Sequence, residues 1–141
     1  MKKYRFILFA FLLLPGILSG CRRYHASENT TISPRVVTQV DVICKREDTS
    51  ILRSYTHPKK METILVYLRL LEPLGKAETD PERILGDQYE IVLRFSDGRQ
   101  RIYRQRANAY LSKDFQPWYR IDPEHAGVLY SILQDMPSDT V

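Results

Sequence analysis

The chain has 141 residues, which is room for one domain, and its 43% hydrophobic and 27% charged residues are ordinary for a globular protein. The formal net charge is +4, but three of the 21 basic residues lie in the first 20 positions, so residues 21–141 hold 18 basic and 17 acidic side chains. Nucleic-acid-binding domains normally have a stronger positive bias, so we expect no nucleic-acid partner.

The first 20 residues have the pattern of an export signal. Positive charges at positions 2, 3 and 5 precede an uninterrupted apolar run at residues 6–14. A membrane-spanning helix needs ~20 apolar residues, whereas this run ends at Pro15 and Gly16. A permanent transmembrane anchor is therefore the weaker alternative.

The segment LSGC at residues 18–21 resembles the lipobox of bacterial lipoprotein precursors, in which a branched apolar residue and two small residues precede an invariant cysteine. The resemblance implies that the Cys21 thiol receives a diacylglyceryl group and that residues 1–20 are removed. Two or three acyl chains anchor a protein stably. We therefore expect lipid anchoring through Cys21 on the extracytoplasmic face of the cell membrane. Ordinary signal cleavage and an accidental cysteine are the alternatives.

A polar tether and one free thiol are expected after the anchor. Residues 22–34 are rich in Ser and Thr and lack apolar periodicity, which is typical of a flexible segment. If Cys21 is a thioether, Cys44 is the one remaining thiol and no intramolecular disulfide can form. Cys44 continues an alternating series made of Val36, Thr38, Val40 and Val42. We expect these side chains to point into the core, where a cysteine is usually inert; a catalytic thiol is the alternative.

Residue periodicity predicts a folded domain over residues 35–136. The β-branched alternation of residues 35–46 predicts a first strand, and residues 50–56 a second. Pro58 suits the first turn of a helix that ends at Pro73. One face of this helix has apolar residues at helical spacing: Met61, Ile64, Leu65, Leu68 and Leu71.

The sequence QYEIVLRFSDGRQRIYRQR predicts a hairpin, with Gly98 supplying a positive φ in its turn. A two-residue loop would set Arg94 opposite Arg101, a destabilising like-charge pair. A three-residue loop with a bulge at Gly98 sets Glu90 opposite Arg104 and Val92 opposite Ile102. We favour this bulged register.

Two short strands and a helix are predicted after the hairpin. The strands are residues 108–112 and 117–121, and Asp122 and Pro123 form a favourable helix start. The core stripe of this helix is expected to be Leu129, Ile132, Leu133 and Met136. Pro137 ends it, which leaves residues 137–141 as a C-terminal tail.

The predicted order of elements is β-β-α-β-β-β-β-α. Such a set suggests an α+β fold, with a single antiparallel sheet and two helices packed on one face. The charged residues 75–87 are expected to form a loop with one helical turn after Asp80.

Catalytic, metal-binding and cofactor motifs are absent from the sequence. His25, His57 and His125 are far apart, and no HExxH, CxxC or GxSxG motif or Gly-rich phosphate loop occurs. A domain of about 100 residues also has little room for a deep pocket. We therefore predict no enzymatic activity, no catalytic residue, no metal and no cofactor.

Arginine is concentrated in the predicted hairpin, where residues 94–106 carry a net charge of +4. The basic residues are Arg94, Arg99, Arg101, Arg104 and Arg106. Alternate residues of a hairpin emerge on one face, so these side chains predict a basic patch for an envelope protein or an anionic envelope polymer. The alternative is an edge strand protected from pairing by cations.

Aromatic residues crowd the segment next to these arginines: Tyr103, Tyr110, Phe115, Trp118 and Tyr119. Aromatic and arginine side chains are enriched at protein interfaces, although aromatics also fill cores. Trp118 is the one we most expect to face the last helix. The predicted partner surface is Arg94, Arg99, Arg101, Tyr103, Arg104 and Arg106.

The lipobox, the short tether and one small domain together resemble small extracytoplasmic lipoproteins of bacteria, especially those with a Gram-positive envelope. Residues 89–122 are similar to uncharacterised domains of that group, which implies a location but no activity. We expect a membrane-anchored, non-enzymatic binding or envelope-assembly module. The alternative is an inhibitor or sensor of an extracellular enzyme, with residues 75–87 as the inserting loop.

Overall fold

The computed structural model describes residues 37–140. The predicted signal sequence, Cys21, the tether and Val36 lie outside the described residues. The strands are β1 (Val37–Arg46), β2 (Thr49–Tyr55), β3 (Gly75–Lys76), β4 (Gln88–Phe95), β5 (Gln100–Arg106), β6 (Tyr110–Lys113) and β7 (Tyr119–Arg120). Helix α1 (Pro58–Leu70) follows β2, a 3-10 helix (Pro81–Arg83) follows β3, and α2 (Pro123–Asp135) follows β7. No helix in the described range is long and apolar enough to cross a membrane.

The seven strands form one open antiparallel sheet, in the order β2-β1-β4-β5-β6-β7-β3. With two helices this is an α+β fold, which confirms the predicted fold class. The predicted order of elements omitted β3, whose two residues pair with β7. So short a strand leaves no periodicity in the sequence, because its pairing is decided by the neighbouring strand. The 3-10 helix is the helical turn predicted after Asp80.

Alternation along the strands divides the sheet into two faces. The face that we call the core face carries Val40, Val42, Tyr55, Tyr89, Ile91, Leu93, Tyr103, Gln105 and Leu111, all buried. The opposite face, here called the charged face, carries Asp41, Glu90, Val92, Arg94, Arg104 and Arg106. A bulge between Val37 and Gln39 shifts the alternation of β1, so Thr38, predicted to point inward, is exposed while Val37 is buried. Cys44 is half-buried and packs against the core.

Both helices form where the apolar spacing predicts them. The predicted stripe of α1 is buried as a whole: Met61, Ile64, Leu65, Leu68 and Leu71. At the start of α2, the Asp122 carboxylate accepts a hydrogen bond from the N–H of Glu124 at 2.9 Å. Leu129 and Leu133 are buried in the same cluster as the core face of the sheet. Burial of these stripes supplies most of the stability of helices this short.

A buried polar network links the sheet to both helices. Gln105 of β5 is 1% exposed. Its Oε1 accepts a hydrogen bond from the hydroxyl of Tyr67 in α1. Its Nε2 donates to the carbonyl of Ala126 in α2 and to Asn108 Oδ1, at 3.1 Å each. The amide thus satisfies its donors and acceptor in a region from which water is excluded.

The β4–β5 hairpin has the bulged register that the sequence predicts. The cross-strand pairs are Glu90 with Arg104 and Val92 with Ile102. Gly98 has a φ of +83°, which an L side chain rarely adopts. Arg94 lies opposite Gln100, so the destabilising pair of Arg94 with Arg101 does not form.

The residues after α2 bind β2 and the start of α1. Ser138 Oγ accepts a hydrogen bond from the N–H of Ser54 at 3.0 Å, and the N–H of Asp139 donates to the Ser54 carbonyl at 2.9 Å. The Asp139 carboxylate accepts hydrogen bonds from Lys60 Nζ at 2.5 Å and from the two backbone N–H groups that precede α1, each at 2.8 Å. The Lys60 bond and these backbone bonds hold the pKa of Asp139 well below its usual range. Asp139 therefore fixes the segment that leads into α1 from a distant part of the chain.

Candidate binding surface

The six residues of the predicted partner surface lie in three places. The charged face carries Arg94, Arg104 and Arg106, and the hairpin turn carries Arg99. The core face carries Arg101 and Tyr103. Tyr103 is 8% exposed and belongs to the hydrophobic core. Because β5 lies between β4 and β6, the alternative of a cation-protected edge strand is wrong.

Each of these arginines is already engaged. Four of them meet carboxylates, in the pairs Arg94–Asp41 (2.8 Å), Arg99–Asp97 (2.5 Å), Arg101–Asp114 (3.6 Å) and Arg104–Glu82 (2.9 Å). Arg106 donates to the carbonyls of Glu82 and Ile84 at 3.0 Å each and to Gln88 Oε1 at 2.6 Å. Three of the four carboxylates lie outside the hairpin, so most of its excess positive charge is neutralised within the fold.

Arg104 contacts two aromatic rings. Its guanidinium carbon is 4.9 Å from the ring centroid of Phe115 and 4.9 Å from that of Trp118. Its Nη1 donates to Glu82, whereas its Nε is buried and has no hydrogen-bond partner among the described residues. A desolvated guanidinium is attracted more strongly to aromatic faces than an exposed one. We call Glu82, Arg104, Phe115 and Trp118 the Arg104 cluster.

Phe115 is the exposed member of this cluster, and its backbone is strained. Asp114 and Phe115 have φ values of +49° and +60°, and the N–H of Gln116 bonds to the Lys113 carbonyl at 2.9 Å. Two successive positive φ values favour Asn-Gly, and a bulky residue there costs ~1–2 kcal/mol. Asp114 fixes the turn through bonds with the N–H and carbonyl of Ile102, at 2.8 and 2.7 Å. The Phe115 side chain is nonetheless 68% exposed.

The position of Trp118 differs from the prediction. Its ring lies against Arg104, which extends from the charged face, whereas α2 contacts the core face through Ala126 and Gln105. The prediction that Trp118 faces α2 is therefore wrong. The residue precedes β7 instead of lying within it, so strand alternation does not decide its side. Tyr119, the next residue, is partly exposed.

The loop between β3 and β4 is attached to the sheet at both of its ends. Arg104 and Arg106 bind its 3-10 segment, and Asp87 accepts two hydrogen bonds from Arg46, at 2.9 and 2.8 Å. Leu85, between these attachments, is 93% exposed. It borders a groove of about 890 Å³ between this loop and the β1–β2 turn. The loop thus presents an exposed apolar side chain on a fixed base.

Between residues 37 and 140, no three His, Cys, Asp or Glu side chains are grouped so that they could hold a metal ion. The carboxylates of the charged loop serve local contacts: Asp80 accepts a hydrogen bond from the N–H of Glu82 at 3.1 Å, and Glu82 pairs with Arg104. These contacts account for both groups without a ligand.

Comparison with known proteins assigns the chain to no family. No protein-family model matches the chain, and no curated protein or solved structure is significantly similar to it. The Arg104 cluster is therefore interpreted from its own geometry. Of its four members, Arg104 alone belongs to the partner surface predicted from the sequence.

Proposed function

We propose that the protein is a membrane-anchored extracytoplasmic lipoprotein whose domain is a non-enzymatic binding or envelope-assembly module. The LSGC segment at residues 18–21 supports the anchor, and the Arg104 cluster supports the binding role. We also propose that both helices cover the core face of the sheet. The shared contacts of Gln105 with Tyr67 and Ala126 support that arrangement.

The observation that carries the binding role is the exposed, strained position of Phe115. A phenylalanine that is 68% exposed contributes little to folding, and its backbone costs stability. Rigid aromatic side chains next to arginine are the residue types that dominate binding energy at protein interfaces. The Arg104 guanidinium, which also contacts Trp118, lies over the Phe115 ring, and 68% of Phe115 stays exposed to solvent. Phe115 is therefore proposed as the anchor of an interface.

The charges favour an envelope protein over an anionic polymer as the partner. Binding to a polyanion depends on unpaired cations. Four of the five guanidinium groups of the hairpin are instead paired with carboxylates. An apolar pocket that receives the Phe115 ring matches this surface better than a row of phosphates.

Replacing Phe115 with glycine is expected to reduce recovery of the partner at least about tenfold, the effect of a typical interface anchor. In-cell crosslinking, purification and mass spectrometry measure the recovery. Glycine relieves the positive φ, so the loss would not reflect unfolding. Leu85→Ala is the matched control, since it also removes an exposed apolar side chain. Equal recovery from Phe115→Gly and the unmodified protein contradicts the proposed site.

The anchor is tested separately, with labelled palmitate supplied to cells. We expect the unmodified chain to incorporate the label and to sediment with membranes, and a Cys21→Ser variant to lose the label. Known lipoproteins of the same cells are the positive control. If the wild-type chain stays unlabelled while other lipoproteins of the same cells are labelled, the proposed anchor is excluded. That result does not affect the proposed role of Phe115.

The exposure of Leu85 supports a second candidate function, that of an inhibitor or sensor of an extracellular enzyme. An inhibitory loop needs an exposed side chain on a rigid base, and Leu85 has both. The two functions differ in the crosslinking result. If Leu85→Ala abolishes recovery of a partner enzyme and Phe115→Gly does not, the inhibitor function replaces the first proposal.

A further inference from the structure

Strand β2 forms one edge of the sheet and is paired on one side only, with β1. In an antiparallel ladder, alternate residues direct their N–H and C=O groups toward the same neighbour. Ser54 directs its groups outward, since they bond to Ser138 and Asp139. Leu52 and Ser50 lie two and four residues earlier, so their backbone groups also point outward. Within residues 37–140, nothing pairs with that stretch of the edge.

This open stretch has the character of an interface. Its side chains Ile51 and Leu52 are 55% and 61% exposed and emerge on opposite faces of the sheet. No charged residue lies between Thr49 and Leu52 to discourage strand pairing. The opposite edge of the sheet is β3, which offers only two residues. The β2 edge is therefore the place where the sheet can be extended.

We propose that the β2 edge pairs with the β2 edge of a second copy of this chain, antiparallel and about a two-fold axis at Ile51. Ser50 of each copy then exchanges both backbone hydrogen bonds with Leu52 of the other. Ile51 faces Ile51 across a non-hydrogen-bonded pair, where the side chains approach most closely. The pairing stops at Ser54, whose outward groups are bound by the chain's own C-terminal residues.

The charges at the two ends of the open stretch favour a second copy in this orientation. The turn before β2 carries Glu47 and Asp48, and neither has an ion pair within the described residues. At the other end, Arg53 donates to the carbonyls of Leu133 and Met136 and so keeps its net charge. The antiparallel register sets Thr49 opposite Arg53, which brings the acidic turn of one copy beside the arginine of the other. A parallel register would set arginine beside arginine.

Cysteine crosslinking of the full chain tests this register. In a Cys44→Ser background, Ile51→Cys places two thiols across the axis, with Cβ atoms ~4.5–5.5 Å apart, close to disulfide range. Thr49→Cys is the matched control, because its two copies are displaced by four residues along the strand, ~14 Å. Mild oxidation is expected to give a disulfide-linked dimer at least tenfold more abundant from Ile51→Cys than from Thr49→Cys or the background.

Two further substitutions separate pairing from folding. Leu52→Pro removes an outward N–H and leaves the β1–β2 hydrogen bonds intact, and Leu52→Lys adds a charge to an exposed position. Each is expected to remove most of the Ile51→Cys dimer. Phe115→Gly is expected to leave it unchanged, so failure here is distinct from failure of the proposed function. Equal dimer from Ile51→Cys and Thr49→Cys, or persistence of the dimer in both Leu52 variants, overturns the proposal. Crosslinks of Ile51→Cys to a different protein alone also overturn it.

Discussion

Replacing Gln105 with alanine should lower the free energy of unfolding by about 3 kcal/mol, measured by urea denaturation at pH 7. The amide is 1% exposed and is the shared partner of Tyr67 and Ala126. Its removal takes one donor from the Ala126 carbonyl, leaves that carbonyl as the one acceptor of the Tyr67 hydroxyl, at 3.1 Å, and opens a cavity beside both groups in a dry environment. Burial also raises the pKa of Tyr67, so its hydroxyl stays a neutral donor across the working range.

Two further variants distinguish the hydrogen bonds from simple loss of volume. Gln105→Leu combined with Tyr67→Phe should cost less than the sum of the two single changes, because removing both partners leaves fewer buried polar groups unpaired. Gln100→Ala, at an exposed position of the same strand, should change stability by less than about 0.5 kcal/mol. A loss from Gln105→Ala as small as that from Gln100→Ala contradicts the importance of this network.

Local sequence patterns predicted the elements whose structure is decided locally. The apolar stripe from Met61 to Leu71 predicted α1, because apolar residues at helical spacing form one face that packs against a core. The Asp122-Pro123 start predicted where α2 begins, because Asp is a favourable N-cap residue. The hairpin register followed from Gly98 and from the cost of placing two arginines opposite each other. In these cases propensity, patterning and turn chemistry agree with one another.

The features that the sequence did not predict depend on residues distant in sequence. Strand β3 exists because β7 provides a partner, and the bulge beside Thr38 exchanges the inward residue of β1 for its neighbour. Neither feature changes the local composition. Nothing in the local sequence distinguishes Gln105 from the other polar residues of its strand. Its burial depends on the contacts with Tyr67 and Ala126.

The candidate site was predicted in part for the same reason. The concentration of arginine and aromatic residues over residues 94–119 was visible in the sequence. The partner of each arginine was not, because Asp41 and Glu82 are separated from Arg94 and Arg104 by 53 and 22 positions. The strain at Phe115 has one faint signal, an Asp-Phe pair at a turn that contains no glycine. Composition thus indicated the region of the candidate binding surface, and long-range pairing determined which of its side chains remain available to a partner.

Replacing Asp41 with asparagine should lower the free energy of unfolding by about 2 kcal/mol at pH 7. Asp41 is 5% exposed and accepts hydrogen bonds from Gln39 Nε2 at 2.7 Å, Ser54 Oγ at 2.7 Å and Arg94 Nε at 2.8 Å. An amide has one acceptor oxygen, so its NH₂ group must face one of these donors. The Arg94 side chain is partly exposed, so solvent screens its share of the interaction.

The pH dependence of this loss identifies the carboxylate as its cause. Burial raises the pKa of Asp41, but the hydrogen bonds from Gln39, Ser54 and Arg94 outweigh it and leave the pKa below 3.8. Because the folded pKa is lower than the unfolded one, the carboxylate stabilises the fold fully above about pH 4 and loses that effect as the pH falls through the folded pKa. Urea denaturation at pH 7, 5 and 3 should therefore show similar differences between wild-type and Asp41→Asn stabilities at pH 7 and 5 and a smaller difference at pH 3. Asp48→Asn, an exposed change, should differ from wild type by less than about 0.5 kcal/mol throughout. A difference between wild type and Asp41→Asn that stays constant down to pH 3 would mean that shape, and not charge, makes Asp41 important to the sheet.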